Sequence, residues 1–290
     1  GPAPGGPAPG GPAPGGPAPG GPAPGDGSPH QAEATTKAQA GQKSAAIDAT
    51  KKYDLSNSPD TKAKVEKTWH DSYITEYTKQ RDAGATPEAA NKAARKQANA
   101  DAKVVAKAEA QTAARSKATD DAANGTAFKD DAALGTDTAN AKNAYDAGTQ
   151  GADAQRLSPE LAGKTKTQQI ALLDGEANSG KCVKSTQTLG NGKPQISYLY
   201  PDGTLVRVKP QGDAHGNNAM YSVEVLKTPG GPSSGQGDVA FKVGADGKPV
   251  PKGPSDVNNP YDKGTNPDQH KAYLDEVMKK GHLESVPEAP

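Results

Sequence analysis

The chain has 290 residues, with 34 Lys plus Arg against 34 Asp plus Glu. A net charge of zero gives it no global field toward nucleic acid or an anionic membrane. Hydrophobic residues are 32% and aromatics 4%, against roughly 45–50% apolar in average soluble domains on a count that includes glycine, so core material is scarce and must be local. No apolar run approaches the length of about 18 residues that a membrane-spanning helix needs, and the N-terminus lacks the charged-then-apolar pattern of a signal peptide. Cys182 is the one cysteine, which excludes an internal disulfide and a multi-thiolate metal site and fits synthesis in a reducing cytosol.

The chain opens with five tandem copies of GPAPG over residues 1–25. Proline at the second and fourth places favours polyproline II, and a period of five fails the every-third-glycine rule of collagen. Residues 1–58 are expected to be a disordered Gly-Pro-Ala repeat and polar linker. Ser58 as N-cap and Pro59 at the first helical position start a helix that Gly84 stops. Val65, Trp69, Tyr73 and Tyr77 recur every four residues along it, with Ile74 beside them. His70 next to that stripe reads as a solvated histidine. Thr86 and Pro87 start a second, Ala-rich helix. Residues 59–118 therefore predict a helical hairpin that is marginal alone and suited to contact with a partner. Residues 119–155, without firm periodicity, read as a linker.

From residue 156 to 290 the apolar content rises. Ser158 and Pro159 mark a helix start, and Leu161, Ile170, Leu172 and Leu173 follow. The stretch YPDGT is a hairpin signal: Pro201 presets the turn, Asp202 bonds its own backbone, and Gly203 takes a positive φ. Pairing Tyr200 with Thr204 sets Tyr198 opposite Val206 and Ile196 opposite Val208. Those residues then share one face with Tyr221, Val223 and Val225 of the strand MYSVEVL. The other face carries Ser197, Arg207, Lys209, Ser222 and Glu224, with Leu199 and Leu205 opposite each other. DVAFKVGADGKPV supplies a fourth strand. The helical segments around Leu161–Leu173 and Tyr273–Met278 are expected to cover the apolar face. The fold class predicted is α+β: a small antiparallel sheet flanked by helices, of about 130 residues, enough to fold alone.

The polar face holds residue types suited to cleaving RNA without a metal. That reaction needs a base for the 2′-hydroxyl, cations for the phosphorane and an acid for the leaving oxygen. His215 could serve as base or acid, Arg207 and Lys209 could hold phosphate, Glu224 could assist, and Tyr221 is a weaker helper because its phase points to the core. From Glu160 onward there are 15 Lys plus Arg and 15 Asp plus Glu, so a nuclease would need local clustering of cations. A rival reading makes Cys182, followed by His215, a thiol hydrolase pair, although CVKSTQTLGNGK reads as strand or loop rather than the helix start such a nucleophile occupies. GKCVKST fails the phosphate-loop pattern, and no HExxH or paired-cysteine motif is present. Neither metal nor cofactor is expected. A third reading is a non-enzymatic interaction or structural protein.

A long helical or unstructured N-terminal part followed by a compact C-terminal unit resembles bacterial polymorphic toxins and secretion-system effectors. YLYPDGTLVRVKPQGDAHGNNAMYSVEV resembles strand pairs of their C-terminal toxin domains. The helix-then-sheet order is similar to barnase-like, colicin-type and RelE-like ribonuclease folds. The resemblance implies an antibacterial effector made in the bacterial cytoplasm, secreted or delivered into a target cell, and active as a ribonuclease. It also implies a cognate immunity protein, and a secretion component or chaperone bound through residues 59–118.

Overall fold

A computed structural model describes residues 28–53, 58–211, 219–231 and 237–288. It divides into two compact units, with the boundary between Ala108 and Glu109.

The first unit is built from α1 (Gln31–Lys52), α2 (Pro59–Asp82) and the first part of α3 (Pro87–Asn124). Both predicted helix starts are present: Pro59 and Pro87 open their helices, and the Thr86 hydroxyl accepts from the Ala89 amide. The stripe Val65, Trp69, Tyr73, Ile74 and Tyr77 is buried. Its rings stack along α2, Trp69 on Tyr73 at 5.1 Å and Tyr73 on Tyr77 at 5.8 Å between centroids. Each polar tip donates to a neighbouring helix: Trp69 Nε1 to Asn99 Oδ1 (2.7 Å), the Tyr73 hydroxyl to Asn91 Oδ1 (2.7 Å) and the Tyr77 hydroxyl to Glu33 Oε1 (2.6 Å). Alanines supply the other surfaces. Ala34, Ala38, Ala46 and Ala49 of α1, and Ala90, Ala94, Ala98, Ala102 and Ala106 of α3, are at most 2% exposed. Gly41 lets α1 lie close to the indole, since a Cβ there would meet Trp69 at 2.5 Å. A helix over Gln31–Lys52 corrects the expectation of a linker to residue 58, and the hairpin becomes three helices. Each alanine buries little area alone, so the sequence reads as polar until the aromatic stripe of α2 is set against it.

The second unit carries the sheet. Its strands are β1 (Val183–Thr188), β2 (Pro194–Leu199), β3 (Thr204–Lys209), β4 (Met220–Leu226), β5 (Val239–Val243) and β6 (Pro249–Val250), antiparallel in that order. β7 (Leu283–Glu284) pairs with the start of β4. The predicted register holds, with Ile196 opposite Val208 and Tyr198 opposite Val206. The Tyr200 amide donates to Thr204 across the turn, and Gly203 has φ 86°. The apolar face also carries Tyr221, Val223, Val225, Phe241 and Val243. The fold class is α+β, as expected.

The helices on that face differ from expectation. α4 (Asp131–Leu134) is a short turn, and α5 (Thr136–Asp146), α6 (Ala152–Leu161) and α7 (Lys166–Asn178) follow. Phe128, Ala141, Tyr145 and Ala154 enter the same core cluster as the strands. The Phe128 and Tyr145 rings meet Phe241 edge-on, at 6.2 and 5.3 Å between centroids. Residues 119–155 are therefore part of the core unit and not a linker, and the boundary lies upstream of residue 156. Ser158 and Pro159 fall inside α6, and the Ser158 hydroxyl donates to the Gly244 carbonyl. The helix start that the sequence placed there belongs to Thr165, which forms a capping box with Gln168. α8 (Pro267–Lys279) does not join the sheet core. Ala272, Tyr273 and Val277 cluster with Ala114, Ala118 and Val257 instead, and the Tyr273 hydroxyl donates to Asp121 Oδ2 at 2.8 Å. Among the described residues no helix is long and apolar enough to cross a membrane.

Candidate active site on the second sheet face

The face opposite the core divides along its length. At one end Leu199 packs against buried Leu205, Leu226 and Val239. At the other end Gln195, Arg207, Lys209, Ser222, Glu224 and Lys242 surround a small cavity of about 70 Å³, closed on one side by His282. Strand pairing produces this set: Arg207 lies opposite Ser222 and Glu224 opposite Lys242, and alternation sends all four to the same side. His282 arrives separately, on the turn between α8 and β7, and the pairing of β7 with Met220 and Tyr221 holds that turn beside the cluster.

Two polar contacts define the centre, one buried and one between buried Lys242 and the exposed His282. Arg207 Nη1 lies 3.1 Å from Glu224 Oε2, and the Ser222 hydroxyl donates to Glu224 Oε1 at 3.0 Å. Glu224 is 2% exposed, so the attraction between carboxylate and guanidinium acts with little screening. The second contact joins Lys242 Nζ to His282 Nε2 at 2.9 Å, while His282 Nδ1 is 3.1 Å from the Met278 carbonyl. One arrangement satisfies both: a neutral imidazole whose Nδ1–H donates to Met278 and whose Nε2 accepts from the ammonium. The electrostatics agree. Burial, followed by the cation of Lys242, holds His282 below the ordinary histidine range, against an opposing backbone hydrogen bond to Met278. Burial also holds Lys242, 5% exposed, below the ordinary lysine range. Glu224 opposes that shift, and Lys209 and Arg207 reinforce it. Gly281 makes room for the Lys242 stem, since a Cβ there would lie 2.8 Å from its Cδ.

The site can bind an oxyanion, because three cations face one carboxylate, and it pairs a neutral imidazole with a lysine whose proton affinity is lowered toward neutrality.

Of the residues singled out from sequence, Arg207, Lys209 and Glu224 come together here. Tyr221 lines the cavity, yet it belongs to the core cluster. It is 3% exposed, and burial pushes its phenol up to about 12, which removes it as an acid–base group near neutral pH. His215 lies outside the described residues. Cys182 is buried in the core cluster and its thiol is raised, chiefly by burial. That is the reverse of what a thiolate nucleophile needs. Lys242 and His282 carry no signal of this role in the sequence. Lys242 alternates correctly within VAFKV, but its partner depends on the β4–β5 register, which shifts at Val225/Leu226. His282 follows its helix with no local signal.

No family model, curated protein or solved structure matches this chain, so the geometry carries the functional argument alone.

Proposed function

We propose that the second unit is a metal-independent ribonuclease acting from this sheet face, and that the chain is an antibacterial effector delivered into a target cell and held in check by an immunity protein. The observation that carries the catalytic reading is the Lys242–His282 contact beside Arg207, Lys209 and Glu224. Arg207 and Lys209 hold the scissile phosphate and stabilise the phosphorane. Lys242 turns its ammonium from His282 Nε2 to the leaving 5′-oxygen, and the freed Nε2 takes the proton of the 2′-hydroxyl as that oxygen attacks phosphorus. Lys242 gives a proton to the departing 5′-oxygen as the phosphorus–oxygen bond breaks, leaving a 2′,3′-cyclic phosphate and a 5′-hydroxyl. Transfer of one proton from His282 to Lys242 across their contact then restores both groups. Glu224 orients Arg207 and balances the cationic field. The lowered affinity of Lys242 supports the acid role, because an acid works best when its pKa lies near the working pH, and the depression of His282 keeps the imidazole neutral and able to accept a proton. The delivery reading is supported by the order of the chain, with the Gly-Pro-Ala repeat and Ala-rich helices preceding the unit that holds the site.

The test is incubation of the full chain with single-stranded RNA in the presence of a chelator. Cleavage that yields cyclic phosphate ends is expected, and intact RNA would overturn the assignment. Growth arrest on expression in bacteria, relieved by His282→Ala, is the matching cellular result.

A further inference from the structure

A second, larger depression of about 490 Å³ opens on the other side of His282, which lines both spaces. We infer that this groove receives the nucleoside of an unpaired RNA nucleotide whose phosphate lies in the cationic cavity, an inference that rests on the ribonuclease reading above. Size separates the two spaces: the cavity of about 70 Å³ admits a phosphoryl group and no more, whereas the groove lies within the roughly 300–1,000 Å³ of small-molecule pockets. Charge separates them as well. The cavity gathers Arg207, Lys209 and Lys242 against Glu224, while the groove sets Lys248, Lys279 and Lys280 against Asp246, Glu276 and Glu284. A phosphate is drawn to the first and gains no net field in the second.

The walls of the groove suit a flat ring. Ala122 and Ala123 at the end of α3 line it together with Gly244, Ala245, Val250 and Leu283, short or aliphatic surfaces against which a flat base can lie. Gly244 is closely packed among these residues, since a Cβ there would lie 3.0 Å from Asp246 Oδ1 and 3.3 Å from Val250. Carboxylates of Asp246 and Glu284 at the margin can accept from the amino and imino groups of a base. The lining contains no phenyl, phenol or indole ring, so the base is held by insertion and edge hydrogen bonds and not by aromatic stacking. A base held in this way must leave its stack, which restricts the substrate to single-stranded segments.

The experiment compares probes on the full chain by calorimetry: inorganic phosphate, adenosine 3′-monophosphate and uridine 3′-monophosphate. At least one nucleotide is expected to bind tenfold or more tighter than phosphate. Ala123→Trp, at an exposed position on the groove wall, should erase that surplus and leave phosphate affinity within twofold. Single-stranded RNA should be cut at least tenfold faster than a duplex of the same sequence. Nucleotides that bind no better than phosphate, or a surplus that survives Ala123→Trp, overturn the groove assignment and leave the phosphate site standing. Phosphate that does not bind, or that binds equally to Arg207→Ala, overturns the phosphate site and the groove assignment with it.

Discussion

The two units answer the same shortage of apolar residues in different ways. In the first, the bulky material is concentrated on one face of α2, and alanines and Gly41 of α1 and α3 close around it. In the second, buried Val, Tyr, Leu and Phe side chains from four strands and three helices share the load. Concentration makes the first core depend on a few side chains, and the tips of Trp69, Tyr73 and Tyr77 are spent on hydrogen bonds to the neighbouring helices. Distribution lets the second unit keep one sheet face for the core and spend part of the other on buried charge, an unfavourable arrangement that the surrounding strands must hold in place.

The first unit is most sensitive at Trp69. Trp69→Ala should cost about 3–5 kcal/mol, the usual range for deleting a buried large aromatic, and should unfold the first unit as read by amide exchange. RNA cleavage assigned to the second unit should survive, and its loss would mean that the units are not independent in function.

Next in size is the site itself. His282→Ala should lower activity by about a hundredfold or more, typical of removing a general base, without changing the melting of the first unit. His215→Ala should cost less. The reverse ranking would return the acid–base role to the histidine that the sequence singled out.

Gly281→Ala is a subtler probe. The added methyl presses on the Lys242 stem, and a displacement of that kind should reduce turnover about tenfold. It should also move the alkaline limb of the pH–rate profile, which a general loss of stability would not do.

The pH dependence of stability has a definite sign. His282 is depressed in the folded state, so its contribution is present above the unfolded value near about 6.5. That contribution is lost as pH falls from there through the folded value, because the unfolded chain then binds the extra proton. Denaturant midpoints of the second unit should drop across that window, and His282→Gln should flatten the drop.

The smallest expected effect is in the first unit. Tyr77→Phe removes a donor whose hydrogen bond is the leading influence lowering Glu33. A small loss of stability is expected, and the Glu33 titration followed by NMR should return toward the normal carboxylate range.

Local signals in the chain were enough for several features. Proline at positions 59 and 87 set helix starts because its φ is already helical. Asp202–Gly203 set the β2–β3 turn, and alternation then assigned Arg207, Lys209 and Glu224 to one face and Val206 and Val208 to the other. These depend on one residue's dihedral preference or on a period of two, and need no distant partner. The tertiary structure alone decided that the alanines of α1 and α5–α6 are buried, since the area an alanine covers counts only when a large side chain is opposite. It also decided where α8 packs, and it brought Lys242 and His282 to Glu224. Those two residues stand 18 and 58 positions beyond Glu224 in the chain. Their meeting depends on the β4–β5 and β4–β7 pairings, whose loop-closure entropy is offset only when the whole sheet forms, so no short stretch of sequence could announce it.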